Sequence, residues 1–141
     1  MSIYFHEEDR KVPGIDKDKI VSAVNKICEL SNRKAGDINF IFCSDEYLIN
    51  MNRKYLEHDY YTDIITFDYN DGEIISGDIF MSRDRIEDNA KKYGEDPKIE
   101  FVRNCGHGVL HLLGQGDASE EEKELMREKE DQFIKIASQI G

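Results

Sequence analysis

The sequence predicts an α+β domain in which a small mixed sheet of four strands is surrounded by about five helices. Two observations lead to this fold class: short runs rich in β-branched and aromatic residues mix with longer segments of helical periodicity, and turn signals separate them. The 141 residues match the size of one typical domain. Because no linker rich in proline, glycine or serine divides the chain, residues 1–141 are expected to form a single domain.

Two strands and two helices are predicted in the first half of the chain. Alternating polarity indicates the first strand, and a mostly apolar run indicates a buried second strand. Each helix follows a residue whose side chain suits an N-cap. In order, the predicted elements are a strand at 2–6, a helix from the cap Asp16 to about residue 32, a loop at 35–37, a strand at 38–43, and a helix from Ser44 or Asp45 to about Tyr55.

Two strands and three helices are predicted in the second half. Asn70-Asp71-Gly72 is a strong turn signal between the strands, and Ser119 with Glu122 forms a capping box for the last helix. The predicted elements are strands at 64–69 and 76–81, a helix at 83–93 capped by Ser82 and closed by Gly94, a central helix with Pro97 near its start and Gly114 at its end, and a final helix whose inner face is Leu125, Met126, Phe133, Ile136, Ala137 and Ile140.

The central helix carries two histidines four residues apart. Its apolar residues follow spacings of three and four and occupy one broad arc, whereas His107 and His111 share the other side. Because side chains four apart on a helix have Cβ atoms ~5–6 Å apart, both imidazoles can converge on one first-row metal ion. The helix therefore offers two candidate metal ligands.

The turn after this helix offers a third candidate ligand. Gly114 is a plausible left-handed C-cap, and the turn that follows can swing Asp117 back toward the histidines. Three protein ligands with one open position are typical of a catalytic metal, whereas a structural zinc site closes its fourth position with protein. The alternative is that the histidines are ordinary polar residues and that Asp117 caps the helix that follows.

The segment HGVLHLLGQGD at residues 107–117 resembles the signature H-G-x-L-H-L-x-G-Y-D-H of the YbeY family. Asp117 stands where the family has its third histidine. The resemblance implies the same α+β fold, a zinc ion, and an endoribonuclease that acts in late maturation of the 3′ end of small-subunit (16S) ribosomal RNA and in ribosome quality control. Because the third ligand is a carboxylate, other divalent ions are also expected to bind. The matching residues are His107, Gly108, Leu110, His111, Leu112 and Gly114.

Residues 56–69 also resemble the family, in which an asparagine-bearing helix leads to a T-D/N-V-L-S-F strand. A functionally important arginine of the family corresponds to Leu56 here, so its role cannot be transferred to that position. The available substitutes are Arg53, Lys54 and Arg103. The residues that fit the pattern are Asn52, Asp59, Thr62, Asp63 and Phe67.

Arg103 and Asp78 are further candidates near the metal site. Arg103 lies one turn before His107, where its guanidinium can reach a phosphate held at the metal, so it is predicted to be catalytic. An ion pair of Arg103 with Glu100 or Asp96 is the alternative. Asp78 lies in a Gly-Asp-Ile element shared with the family and is expected to line the cleft or to orient a ligand histidine.

The net charge of −11 is unfavourable for a nucleic-acid enzyme, because affinity for RNA rests largely on cations that neutralise phosphates. Part of this charge lies in residues 120–131, seven acidic against three basic, which are predicted to form a solvated helix face. No apolar run has the length of a signal peptide or a membrane span, so a cytoplasmic protein without membrane contact is expected. Cys28, Cys43 and Cys105 are predicted to be free core residues.

These features favour a metal-dependent endoribonuclease that acts on single-stranded or ribosomal RNA at the small subunit, with no DNA substrate expected. The first alternative is a non-catalytic ribosome-assembly or RNA-binding protein whose metal is structural. A lesser alternative is a metalloprotease-like hydrolase. The protease motif H-E-x-x-H has its general-base glutamate where this chain has Gly108, which disfavours that alternative.

Overall fold

A mixed sheet of four strands forms the centre of the computed structural model, which describes residues 2–57 and 62–139. Its strands are β1 (Ile3–Glu7), β2 (Lys34–Cys43), β3 (Ile64–Asp68) and β4 (Ile74–Ser82). Within the described residues the spatial order is β1-β2-β4-β3; β2 runs parallel to β1 and β4, and β3 runs antiparallel to β4. The predicted fold class is confirmed.

The helices of the described part are α1 (Lys17–Leu30), α2 (Asp45–Tyr55), α3 (Arg83–Lys92), α4 (Pro97–Leu112) and α5 (Glu120–Gln139). At the start of α1, α2 and α3, the side chains of Asp16, Ser44 and Ser82 each accept a hydrogen bond from the backbone N–H three residues on. Ser119 and Glu122 form the predicted capping box of α5. These bonds satisfy N–H groups that a first turn leaves unpaired, so the local sequence determines where each helix begins. None of the described helices is long and apolar enough to cross a membrane.

The predicted loop at residues 35–37 is instead part of β2, which begins at Lys34. The first residues of β2 pair with β4, and a bulge separates them from the regular register that resumes at Ile38. A Cβ atom on Gly36 would collide with the side chain of Ser76 in β4. The loop prediction is wrong because a small residue, which often marks a loop, is here required for close pairing with the neighbouring strand.

The main core lies between one face of the sheet and the helices α1, α4 and α5. Two glycines bring α4 close to its neighbours. A Cβ atom on Gly108 would stand 2.7 Å from Cγ2 of Ile79 in β4, and a Cβ atom on Gly106 would stand 2.7 Å from the ring of Phe133 in α5. Since real Cβ atoms do not approach so closely, glycine at both positions lets α4 pack between the sheet and α5.

The predicted inner face of α5 is correct in part. Leu125 is 43% exposed, so its assignment to the inner face is wrong. The buried row advances by steps of four, three and four residues, which places Leu125 beside it and Glu130, at 6% exposed, within it. Ile140 lies outside the described residues. The apolar members that pack into the core are Met126, Phe133, Ile136 and Ala137.

The three cysteines are buried and free, as predicted. Burial raises the pKa of the Cys28 thiol to about 11 and that of the Cys43 thiol to about 12. Burial also raises the pKa of Cys105. Because the thiolate is the form that binds metals and attacks substrates, none of the three is suited to either task at neutral pH.

Candidate metal centre

The second half of α4 brings two histidines together on one face. The ring centroids of His107 and His111 lie 4.5 Å apart, with the ring planes at 83° to each other. Their side chains are 19% and 31% exposed, whereas Cys105 and Val109 on the opposite face are fully buried. The helical spacing therefore produces the close approach that the sequence predicts.

The turn after α4 folds Asp117 back onto the histidines. Gly114 adopts the left-handed conformation with φ +96°, and its N–H donates to the carbonyl oxygen of His111 at 2.9 Å. The Oδ2 atom of Asp117 lies 3.4 Å from Nε2 of His107 and 3.4 Å from Nε2 of His111. The structure thus brings all three predicted ligand residues together.

These three side chains fit a divalent metal ion. One ligand atom from each lies within 4.8 Å of the other two, and within residues 2–57 and 62–139 this is the one cluster of three or more potential ligands. Ligand atoms at about 2.0–2.1 Å from a tetrahedral ion stand about 3.3–3.4 Å from one another. Asp117 has that separation from each histidine. The cluster could therefore hold a metal without rearrangement at Asp117.

The two histidines differ in how their surroundings affect protonation. Burial lowers the pKa of His107, but the hydrogen bond and charge of Glu130, together with the charge of Asp117, outweigh burial and raise the pKa above its ordinary value. Burial and the charge of His107 lower the pKa of His111. The imidazole of His111 therefore gives up its proton to a metal more easily than the imidazole of His107 does.

A buried carboxylate from α5 also contacts the site. The Oε2 atom of Glu130 lies 2.6 Å from Nδ1 of His107, and the Glu130 side chain is 8% exposed. The prediction of a solvated face at residues 120–131 is wrong for this residue. Its spacing from Met126 and Phe133, by four and three residues, was the available sequence signal, because it places Glu130 in the row that faces the core.

Arg103 is held by three carboxylates. Its Nη1 atom lies 2.8 Å from Oδ1 of Asp131 and 3.4 Å from Oε1 of Glu130, and its Nε atom lies 3.4 Å from Oε1 of Glu100. The Arg103 side chain is 13% exposed. The ion pair with Glu100 that the sequence left open is therefore present, and the catalytic role of Arg103 stays a prediction.

Asp78 lies on the side of the sheet that faces away from the histidines. Ile79, its neighbour in β4, faces α4 at Gly108, and side chains alternate along a strand, so Asp78 points the other way. There it accepts a hydrogen bond from Nδ2 of Asn39 at 3.0 Å. The expectation that Asp78 orients a ligand histidine is wrong, because Glu130 occupies that place.

A cleft of about 510 Å³ opens beside His111, between the end of α2 and β3. Asn52 and Thr62, which fit the family pattern, line it, and so does Leu56 at the position of the family arginine. Phe67 lines a separate groove on the other face of the sheet. The expectation for Asp59 falls outside the described residues.

Known proteins resemble this chain over nearly its whole length. A protein-family model described as Endoribonuclease YbeY matches residues 3–138. A protein named Endoribonuclease YbeY from Parabacteroides distasonis is 44% identical over 136 residues, which cover 96% of each chain. One from Bacteroides thetaiotaomicron is 42% identical over 134 residues, which cover 95% of this chain and 98% of the relative. The solution structure of TM1509 from Thermotoga maritima shares the fold, with a TM-score of 0.67 at 20% identity over 96% of this chain and 89% of that one.

Proposed function

The chain belongs to the Endoribonuclease YbeY family, and on that premise we propose that it is a metal-dependent endoribonuclease. Its proposed task is late maturation of the 3′ end of small-subunit (16S) ribosomal RNA, with a part in ribosome quality control, at the small subunit in the cytoplasm. The observation that carries the metal dependence is the convergence of His107, His111 and Asp117, at 3.4 Å between the carboxylate and each imidazole.

The proposed cofactor is one zinc ion per chain, held by His107, His111 and Asp117. When bound, such an ion activates water and polarises a phosphoryl oxygen. Because the cluster contains three protein ligands, one position is left for water or substrate, which supports a catalytic rather than a structural metal. The carboxylate of Asp117 also makes harder ions such as Mn²⁺ acceptable.

The cleft beside His111 is the proposed path of the RNA strand. The partly exposed side chain of Thr62 lines it and can hydrogen-bond to phosphate or sugar oxygens, whereas Asn52 lines it as a buried residue. Arg103 is proposed to contact the phosphate after it releases Asp131, whose side chain is 60% exposed and therefore the most easily exchanged of its three partners. This keeps a guanidinium available to the developing charge in the transition state.

The position of Gly108 argues against the metalloprotease alternative. That reaction uses a glutamate beside the first histidine as general base. A side chain at this position would enter the contact between α4 and Ile79, because even its Cβ atom would stand 2.7 Å from Cγ2 of that residue. The helix therefore has no room for the missing base.

Metal analysis combined with single-turnover RNA cleavage tests the proposal. The parent protein is expected to bind zinc and to cleave RNA that contains the 3′ end of small-subunit ribosomal RNA, and His107→Ala should lose both properties. Cys105→Ala, on the opposite face of α4, is the matched control and should retain both. Bound zinc without any cleavage by the parent would support the alternative, a ribosome-assembly protein with a structural metal.

The ends of the cleaved RNA report the nucleophile. We expect water to attack the phosphate, so cleavage should leave a 5′-phosphate and should tolerate a 2′-deoxy sugar at the cut. Attack by the 2′-hydroxyl of the RNA would instead leave a 2′,3′-cyclic phosphate. End-group analysis that finds only cyclic products would reject the water mechanism while leaving the endoribonuclease function in place.

A further inference from the structure

We propose that Glu130 is a positioning residue of the metal centre, which holds the imidazole of His107 in the tautomer and orientation that bind the ion. The inference rests on the proposed metal site and adds to it a residue from another helix. Oε2 of Glu130 lies 2.6 Å from Nδ1 of His107, and Glu130 is 6% exposed. Water has little access to this contact, so the carboxylate is the hydrogen-bond partner of that nitrogen.

The contact selects one tautomer of the histidine. An ionised carboxylate can only accept a hydrogen bond, so Nδ1 of His107 carries the proton. A neutral imidazole has one N–H group, and Nε2 therefore keeps its lone pair. Nε2 is the atom that faces Asp117 at 3.4 Å and is the ligand atom of the proposed centre. A carboxylate behind a ligating histidine fixes the ring and makes it a better ligand.

The charge of Glu130 is compensated by Arg103. A buried carboxylate is costly unless it is paired, and Oε1 of Glu130 lies 3.4 Å from Nη1 of Arg103. Asp131 and Glu100 hold that guanidinium from other sides. One oxygen of Glu130 thus faces the guanidinium and the other faces His107, which fixes the plane of the carboxylate. Arg103 therefore supports the metal ligand through Glu130, in addition to its proposed contact with phosphate.

The backbone that carries Glu130 is held in place by the core. Met126, one turn before it, is 2% exposed, and Phe133, one turn after it, is fully buried. The ring of Phe133 packs against Gly106 of α4. Because this packing fixes α5 against α4, the distance between Glu130 and His107 is determined by the fold rather than by a mobile surface side chain.

Glu130→Gln tests the proposal, because it replaces the charged acceptor by an amide of the same shape. Glu128→Gln is the matched control, since it makes the same change at an exposed position of α5. The first quantity to measure is the Kd for zinc, by competition with a chelator. The second is the set of ¹⁵N chemical shifts of the His107 ring in the metal-free protein, at a pH where the imidazole is neutral. Circular dichroism checks that each variant is folded.

The parent and Glu128→Gln should show the proton on Nδ1 of His107 and the same zinc affinity. In Glu130→Gln the amide oxygen should stay on the guanidinium of Arg103, which leaves the amide N–H to donate to Nδ1 of His107. The variant should therefore populate the other tautomer and should bind zinc about 10–100-fold more weakly. A residue that served packing alone would lower thermal stability and would leave the tautomer of His107 unchanged. The spectroscopic readout therefore separates positioning from a general structural role.

An unchanged tautomer or an unchanged zinc affinity in folded Glu130→Gln would overturn the proposal. If that variant does not fold, the spectrum of the parent decides: a proton on Nδ1 supports the proposal, and a proton on Nε2 overturns it. Failure of the proposed function has a different signature, because a parent that binds no zinc, or binds zinc without cleaving RNA, can still show the Nδ1 proton in its metal-free spectrum.

Discussion

The two faces of α4 differ in what they contact. One face is packed: Val109 is fully buried, and Gly108 brings the helix so close to Ile79 that a methyl group has no room. The other face carries His107 and His111, whose partly exposed rings meet a carboxylate from the following turn. The available volume limits which side chains fit on the packed face. On the other face, the positions of a few polar atoms determine whether a metal can bind.

Packing and metal binding are therefore assigned to different faces of a single helix. Packing residues and ligands alternate within one or two positions, because residues three or four apart share a face. A substitution on the packed face should therefore lower the stability of the fold by an amount set by the volume it adds or removes, and it should affect the metal only if α4 unfolds. A substitution of a candidate ligand on the open face, the side of α4 that carries His107 and His111, should remove the metal and leave the fold.

The largest effect is expected for Gly108→Glu, a substitution on the packed face that creates the protease motif H-E-x-x-H. Its side chain would collide with Ile79, and its carboxylate would be buried against that apolar side chain. We expect a loss of about 3 kcal/mol or more in the free energy of unfolding, with no gain of peptidase activity. Thermal denaturation and a peptidase assay check this. A stable variant would show that α4 has more room than its contact with β4 indicates.

On the open face, His111→Ala should remove a ligand and leave the core untouched. The Kd for zinc should rise by more than about 100-fold, because one of three protein ligands is lost, while the metal-free protein unfolds within about 1 kcal/mol of the parent. Chelator competition and denaturant unfolding measure the two quantities. A variant that keeps its zinc and its activity would mean that the histidine pair is not a metal site.

Asp117→His should change the site without destroying it. A neutral third imidazole replaces a negative carboxylate, so the site becomes one charge more positive and its donor set softer. Preference for zinc over Mn²⁺ should increase, and the rise of activity with pH should move to lower pH. Competition between the two ions and a pH–rate profile check these shifts. An unchanged ion preference would contradict ligation by Asp117.

The smallest effect is expected for Cys105→Ala, which lies on the same helix but on the packed face. Cys105 is fully buried, and its thiol is protonated at neutral pH because burial raises its pKa. Loss of the sulfur should cost about 1 kcal/mol of stability and leave the zinc affinity unchanged. A weaker zinc affinity in a fully folded variant would show that the two faces are coupled.

The convergence of the three candidate ligands could be predicted from the sequence because they are close along the chain. Helical spacing places His107 and His111 on one face, and a glycine C-cap at Gly114 turns the chain back so that Asp117 reaches them. Both rules are local. The helix starts at Asp16, Ser44 and Ser82 were predictable for the same reason.

What the sequence did not provide depends on contacts between distant elements. Glu130 meets His107 across 23 positions of the chain, and its burial depends on how α5 is rotated against α4. The direction of Asp78 depends on which face of β4 meets α4. The strand pairing of residues 35–37 requires β4 as a partner. Helical periodicity can place Glu130 in the row of α5 that faces the core, but neither helical nor strand periodicity shows which residue of another element lies opposite.

The Kd for zinc of Asp117→Ala, compared with that of the parent, tests whether the metal centre exists. Asp117 is the proposed ligand at which the chain departs from the family signature, and its carboxylate lies 3.4 Å from each of the two histidines. We expect the variant to fold normally and to bind zinc more than about 100-fold more weakly than the parent. Equal affinity in the two proteins would show that Asp117 is a turn residue and that the His107–His111–Asp117 centre does not exist.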